Sequence, residues 1–177
     1  MMIKPKIIDY NLRFRNLSHR SYTDLIIVHH TGNDTDDDLS ATEIHQIHQA
    51  LGWSGCGYHY IIRKDGTIEA GRPHWAVGAH ADDGYNWHSV GVHVCGNFEI
   101  EKPTAAQIES AAYLIGWLCE KYDIVPDKNG VKGHRDLMAT ACPGKNLYSK
   151  NPATGETLMQ SIRGKAIWYQ LNYQEGD

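Results

Sequence analysis

Eleven histidines and four cysteines stand in a chain of 177 residues. Their placement carries more than their number, because surface and core histidines are ordinary. Two places stand out. His29 and His30 end the apolar run Leu25-Ile-Ile-Val-His-His. His134 follows Gly133, and Cys142 comes eight positions later, ahead of Pro143-Gly144. Neutral imidazole and thiolate are ligands of zinc, and hydrolytic zinc sites combine three protein ligands with one open position. Side chains alternate along a strand, so His29 and His30 face opposite ways and only one can serve a given pocket. His29 shares its side with Ile27, and His30 with Val28 and Ile26. A loop of this length can bring His134 and Cys142 to one ion. The spacing alone decides little, since a buried cysteine is as a rule a small apolar side chain. Two other patterns fail. Asp34, Asp36 and Asp38 mimic the opening of a calcium loop, but Leu39 and His45 stand where its glycine and last glutamate belong. His45 and His48 share a helix without an HExxH pattern.

The elements that must position these groups are legible. Residues 25–30 read as a short buried strand. Ser40 with Glu43 forms a capping box, and Ile44, Ile47 and Leu51 follow at helical spacing, which predicts a helix over about 41–51. Segments 58–63 and 67–70 flank Asp65-Gly66, a hairpin-turn pair. Residues 89–95 alternate like a strand. Thr104 with Gln107 opens a second capping box, and Ile108, Ala111, Ala112, Ile115, Leu118, Cys119 and Tyr122 mark one face of a long helix. Residues 131–135 read as a short strand, and a last helix falls within 154–170. Together they predict an α/β fold, a single domain with a central mixed β-sheet flanked by α-helices.

Length suits one well-buried domain. The division expected is a basic segment over 1–23 packing on or extending from the domain, a core domain over 24–150, and a helical extension over 151–177. Apolar residues make up 41% and charged residues 21%, and the net charge is -4. Nothing in that balance suggests nucleic acid. No apolar run approaches the roughly 20 residues of a membrane span, so no membrane partner is expected. The start of the chain lacks a continuous apolar core, so no signal peptide is expected and synthesis is expected in a cytoplasm. Scattered cysteines without a CxxC pair fit free thiols or metal ligands better than a disulfide framework.

Read together, IIVHHT, GWSGCGYHYIIRKDGTIEAGR, AVGAHADDGYNWHSVGVHVCGNF and GHRDLMATACPG stand in the order and spacing of type 2 N-acetylmuramoyl-L-alanine amidases. The chain resembles the phage lysozyme-type amidases and is also similar to catalytic peptidoglycan recognition proteins, over about residues 24–148. The resemblance implies one zinc ion on His29, His134 and Cys142, and a catalytic role for Tyr58 in GYHY. Thr140 stands two before the third ligand, where branches of the family carry lysine or threonine, and is a second catalytic candidate. Arg72, His80 and Asn86 lie in loops matching the family's groove and are the substrate-binding candidates, with Trp53 and Trp75 as stacking surfaces. One departure matters: His93 stands where one branch has glutamate, so this chain falls with the tyrosine-using branch.

The activity implied is hydrolysis of the amide between the lactyl group and L-alanine of bacterial peptidoglycan, as by a phage or prophage endolysin acting on the wall after release. Tyr58 and Thr140 would donate to the tetrahedral oxyanion. His59 and His93 are candidate donors of the proton that the leaving amine needs. The alternatives are a non-catalytic peptidoglycan-binding module of the same fold, and a regulator that binds a protein partner through the N-terminal segment. A monomer is expected.

Overall fold

The computed structural model describes residues 1–33 and 37–176. The rejected calcium-loop positions Asp34 and Asp36 lie outside them. In chain order the elements are β1 (Ile7–Ile8), β2 (Leu25–His30), α1 (Ala41–Ala50), β3 (Tyr60–Ile62), β4 (Ile68–Ala70), α2 (Asp83–Asn86), β5 (Ser89–Val94), α3 (Ala105–Tyr122), β6 (Val131–Gly133) and α4 (Leu158–Asn172). The strands form one sheet in the order β1-β4-β3-β5-β2-β6. β3 and β4 are an antiparallel hairpin, and the other neighbouring pairs run parallel. The expected mixed α/β fold is therefore present; α4 runs two residues past the expected 154–170, and β6 ends at Gly133, short of the expected 135, where His134–Asp136 turn out of the strand. The sequence reading missed two short elements, β1 and α2, which are too brief to show a period.

Alternation divides the sheet into two working faces. Ile26 and Val28 of β2, Val90, Val92 and Val94 of β5 and Ile62 of β3 join Leu114, Ile115 and Leu118 of α3 in the main core. Ile162 and Ala166 bring α4 into the same core. Gly116 lets the two helices meet closely, since a Cβ there would sit 2.7 Å from the Ala166 carbonyl oxygen. The opposite face carries smaller clusters: Leu25, Ile27 and Ala81 in one, Ile44, Cys56, Ile61 and Cys95 in another. Putting two helices on one face leaves β2 and β5 to present their odd-numbered residues, His29 and His93 among them, to the other.

Both predicted capping boxes form. Ser40 Oγ accepts from the Glu43 amide while the Glu43 carboxylate accepts from the Ser40 amide, and Thr104 and Gln107 do the same on α3. Thr157 and Gln160 start α4 in the same way. The hairpin turn closes with Arg63 N–H donating to the Thr67 carbonyl and Gly66 N–H to the Arg63 carbonyl, Gly66 taking φ +88.

The N-terminal segment packs on the domain. Ile7 and Ile8 extend the sheet alongside β4. Met2 is buried in the main core, and the Ile3 amide donates to the Tyr173 carbonyl. Arg20 is buried, donating to Thr23 Oγ1 and to the carbonyls of Ala76 and His74, with Nη1 3.1 Å from His59 Nε2. The chain around residues 1–20 is thus tied down at both ends. All four cysteines are free thiols. Among the described residues no helix is long and apolar enough to cross a membrane.

Candidate metal centre

β2, β5 and β6 run parallel, so their carboxyl ends share one edge of the sheet. His29 lies one residue from the end of β2. Gly133, the last residue of β6, pairs with Val28, so the chain delivers His134 directly beside His29. The two imidazole centroids are 4.6 Å apart. Cys142 returns to the same edge on a tight loop. Arg135 N–H donates to the Cys142 carbonyl at 2.7 Å, Cys142 N–H donates to Thr140 Oγ1 at 3.2 Å, and Gly144 N–H donates to the Ala141 carbonyl at 2.7 Å. The Cys142 sulfur accepts from the His30 amide at 3.4 Å and lies 3.6 Å from His29 Nδ1.

One ligand atom each from His29, His134 and Cys142 falls within 4.8 Å of the others. Bond lengths of about 2.0–2.1 Å for nitrogen and 2.3 Å for sulfur put tetrahedral zinc donors about 3.3–3.6 Å apart. The sulfur–Nδ1 separation meets that value, and two nitrogens with one sulfur are a donor set that suits zinc. Burial, then the nearby His80 and His134, push His29 well below the usual imidazole range, so its ring is neutral. Burial pushes the Cys142 thiol up to about 12, partly opposed by the His30 amide. Without a cation the cluster carries no charge, and a metal must displace the thiol proton to bind.

Tyr58 lies over this cluster. Its ring centroid is 5.1 Å from that of His29 and 4.7 Å from that of His93. Burial and the neighbouring Cys142 raise its pKa, so the phenol keeps its proton. That hydroxyl has no hydrogen-bond partner among the described residues and is not sealed from solvent. Thr140 accepts from the Cys142 amide, which leaves its own hydroxyl hydrogen available. Trp53, 42% exposed, packs on His48 at 4.5 Å, and His48 packs on Tyr58 at 5.8 Å. Trp75 instead stacks on His19.

The three substrate-binding candidates each make hydrogen bonds within the protein. Arg72 is buried, and its guanidinium donates to the carbonyls of Cys56, Val77 and Gly55. Asn86 is buried, and its Oδ1 accepts from the His80 and Ala81 amides at 2.9 Å each. His80 stands behind His29, its Nδ1 2.8 Å from His29 Nε2. The Arg72 guanidinium and the Asn86 side-chain oxygen satisfy backbone groups of these loops, and the His80 ring pairs with the His29 and Ser89 side chains. The sequence had named these loops but not their inward use; the GAHA piece was the available signal for His80.

The candidate proton donors fare likewise. His59 Nδ1 accepts from the Gly91 amide, and its Nε2 faces the Ala76 carbonyl. Burial pushes His59 and His93 each down to about 3. Neither ring is an imidazolium at neutral pH, so neither holds the extra proton of the charged form. His30 and His45 are structural: His30 Nδ1 accepts from the Phe98 amide, and His45 Nδ1 from the Cys56 amide.

Residues 19–145 match the family described as N-acetylmuramoyl-L-alanine amidase. The endolysin of Enterobacteria phage T3 is 37% identical over 140 residues, covering 75% of this chain and 89% of that protein. Among solved structures, the endolysin N-acetylmuramoyl-L-alanine amidase LysCS from Clostridium intestinale URNW superposes with a TM-score of 0.77 at 35% identity, over 98% of this chain and 100% of its own. A mutant of Drosophila PGRP-LB in complex with tracheal cytotoxin superposes with a TM-score of 0.69 at 27% identity, over 78% of this chain and 88% of its own.

Proposed function

The chain belongs to the N-acetylmuramoyl-L-alanine amidase family, and from that premise we propose that it is a zinc-dependent endolysin. Its substrate is bacterial peptidoglycan, cut at the amide between the lactyl group of N-acetylmuramic acid and L-alanine. His29, His134 and Cys142 hold one zinc ion. Made in the cytoplasm, the enzyme reaches the wall after release. The observation that supports this most is the convergence of two imidazoles and a thiol, from two segments about a hundred residues apart, beside a phenol with no hydrogen-bond partner among the described residues.

A zinc ion so held supplies a water of lowered pKa and a Lewis acid for the scissile carbonyl. The protein's own groups do the rest. Tyr58 keeps its proton and donates it in a hydrogen bond to the oxyanion that develops on the carbonyl. Thr140, whose oxygen already accepts from the Cys142 amide, turns its hydrogen outward as a second donor. The ring series Trp53–His48–Tyr58 offers an apolar wall for the substrate. His93, packed under Tyr58 and held by Thr31 Oγ1 at 3.1 Å, fixes the phenol's plane rather than moving protons.

The test is mass spectrometry of purified peptidoglycan after digestion with zinc present. New lactyl carboxyl ends and new L-alanine amino ends are expected with wild type and none with Cys142→Ala, which also loses its zinc. Cleavage between sugars, or undiminished amide cleavage by Cys142→Ala, overturns the reading. Binding to the wall without cleavage by wild type would mark a recognition module instead.

A further inference from the structure

The two nitrogens of His29 have different neighbours. Nδ1 faces the Cys142 sulfur at 3.6 Å, and Nε2 faces His80 Nδ1 at 2.8 Å. Two imidazole nitrogens at that distance share one hydrogen, and which ring donates it follows from the far end of the chain of contacts. The Ser89 hydroxyl lies 2.7 Å from the Tyr85 carbonyl oxygen. A carbonyl can only accept, so the single hydroxyl hydrogen of Ser89 points there. Toward His80 Nε2, at 3.4 Å, Ser89 can then only accept, so His80 carries its hydrogen on Nε2. His80 Nδ1 is left bare and accepts from His29 Nε2–H. His29 Nδ1 is bare in turn, its lone pair toward the sulfur.

The surroundings hold His80 in place for this. A Cβ on Gly78 would come within 2.5 Å of the His80 ring, and one on Gly91 within 2.6 Å. Both positions are therefore restricted to glycine while the ring stays. The Asn86 side-chain oxygen accepts from both the His80 and Ala81 amides, which fixes the backbone that carries the ring. Three segments thus converge on a side chain that itself stands outside the three-ligand cluster. Metal-bound histidines commonly need such a partner to fix the tautomer.

We propose that His80 and Ser89 are positioning residues that hold His29 in the Nε2–H tautomer, so that its Nδ1 lone pair is presented to the metal position before any ion arrives. The proposal rests on the reading of His29 as a metal ligand. It gives the GAHA segment a task other than touching substrate.

The test begins on the ion-free wild-type protein with long-range proton–nitrogen correlation of the histidine rings. His29 and His80 are both expected to show a protonated Nε2 and a bare Nδ1. A His29 ring protonated on Nδ1 overturns the proposal. Zinc affinity, by competition with a chelator, then follows the variants. Ser89→Ala is expected to mix the His29 tautomers and weaken zinc about tenfold, and His80→Ala about 10- to 100-fold. His80→Gln, whose side-chain carbonyl can still accept from His29 Nε2–H, is expected to recover part of that loss. Zinc affinity unchanged in both Ser89→Ala and His80→Ala sinks the proposal and leaves the metal site standing. Wild type that binds no zinc sinks the metal site, while the ion-free tautomer still decides this inference. A variant that fails to fold shows it in its amide spectrum, and the wild-type tautomer then decides alone.

Discussion

At the scale of single residues, the centre is made of neutral groups. Tyr58 has a hydroxyl without a hydrogen-bond partner among the described residues, held in its protonated form, with its ring fixed between His29 and His93. Tyr58→Phe keeps the ring contacts and removes only the donor. Its kcat is expected to fall about 100-fold or more, the usual loss of one oxyanion donor, with zinc content unchanged. A kcat within a few-fold of wild type would remove Tyr58 from the mechanism. Arg72 makes the opposite case. Its three hydrogen bonds all end on backbone carbonyls, and leaving buried acceptors unpaired costs about 1–3 kcal/mol each. Arg72→Met is therefore expected to lower unfolding stability by roughly 3 kcal/mol or more, while KM measured on the folded fraction stays put. A raised KM at unchanged stability would restore Arg72 to the groove.

At the scale of elements, the site depends on where parallel strands end. β2 and β6 deliver His29 and His134 without a long excursion, because their register places Gly133 opposite Val28. Cys142 has no strand and relies on its loop. Gly144 takes φ +104, and a Cβ there would sit 2.4 Å from the Phe98 carbonyl carbon. Only glycine tolerates both the conformation and the closeness. Gly144→Ala is expected to cost about 1–3 kcal/mol of strain, relieved by moving the loop away from Phe98. Zinc affinity should weaken about tenfold for each 1.4 kcal/mol so transferred, with helix content by circular dichroism unchanged. Full zinc affinity in that variant would show that the loop tolerates a side chain there.

At the scale of the whole molecule, buried neutral histidines couple the fold to pH. His59 and His93 are both held near 3, against an ordinary value of 6.5. Below 6.5 the unfolded chain binds protons that the folded chain refuses, so unfolding is favoured as pH falls. The stabilisation is fully present above about 6.5 and is lost progressively down to about 3. Each imidazole contributes roughly 1.4 kcal/mol per pH unit in that window. Urea titrations at pH 7 and pH 5 are expected to differ by a few kcal/mol, with the lower stability at pH 5. Equal stability at the two values would show that both rings are protonated in the folded protein. The N-terminal segment belongs to this scale as well, since Met2 and Arg20 are buried against the domain.

The sequence alone determined the elements and the candidate ligands, because both are local or motif-borne. Capping boxes at Ser40 and Thr104, the Asp65-Gly66 turn and the 3.6-residue stripe of α3 each reside within a few neighbouring residues. Strand alternation alone placed His29 on the side of Ile27, and the structure keeps it there. What only the tertiary structure decided is which polar atoms remain free once the chain has folded. Arg72, His80 and Asn86 have the chemistry of ligand contacts, and the fold sets the Arg72 guanidinium and the Asn86 oxygen on backbone groups and the His80 ring between His29 and Ser89. β1 and α2 were illegible because two to four residues carry no period. The pairing of His29 with His80 joins residues 51 apart in sequence, and no local pattern encodes a contact made by packing β5 and its preceding loop against β2.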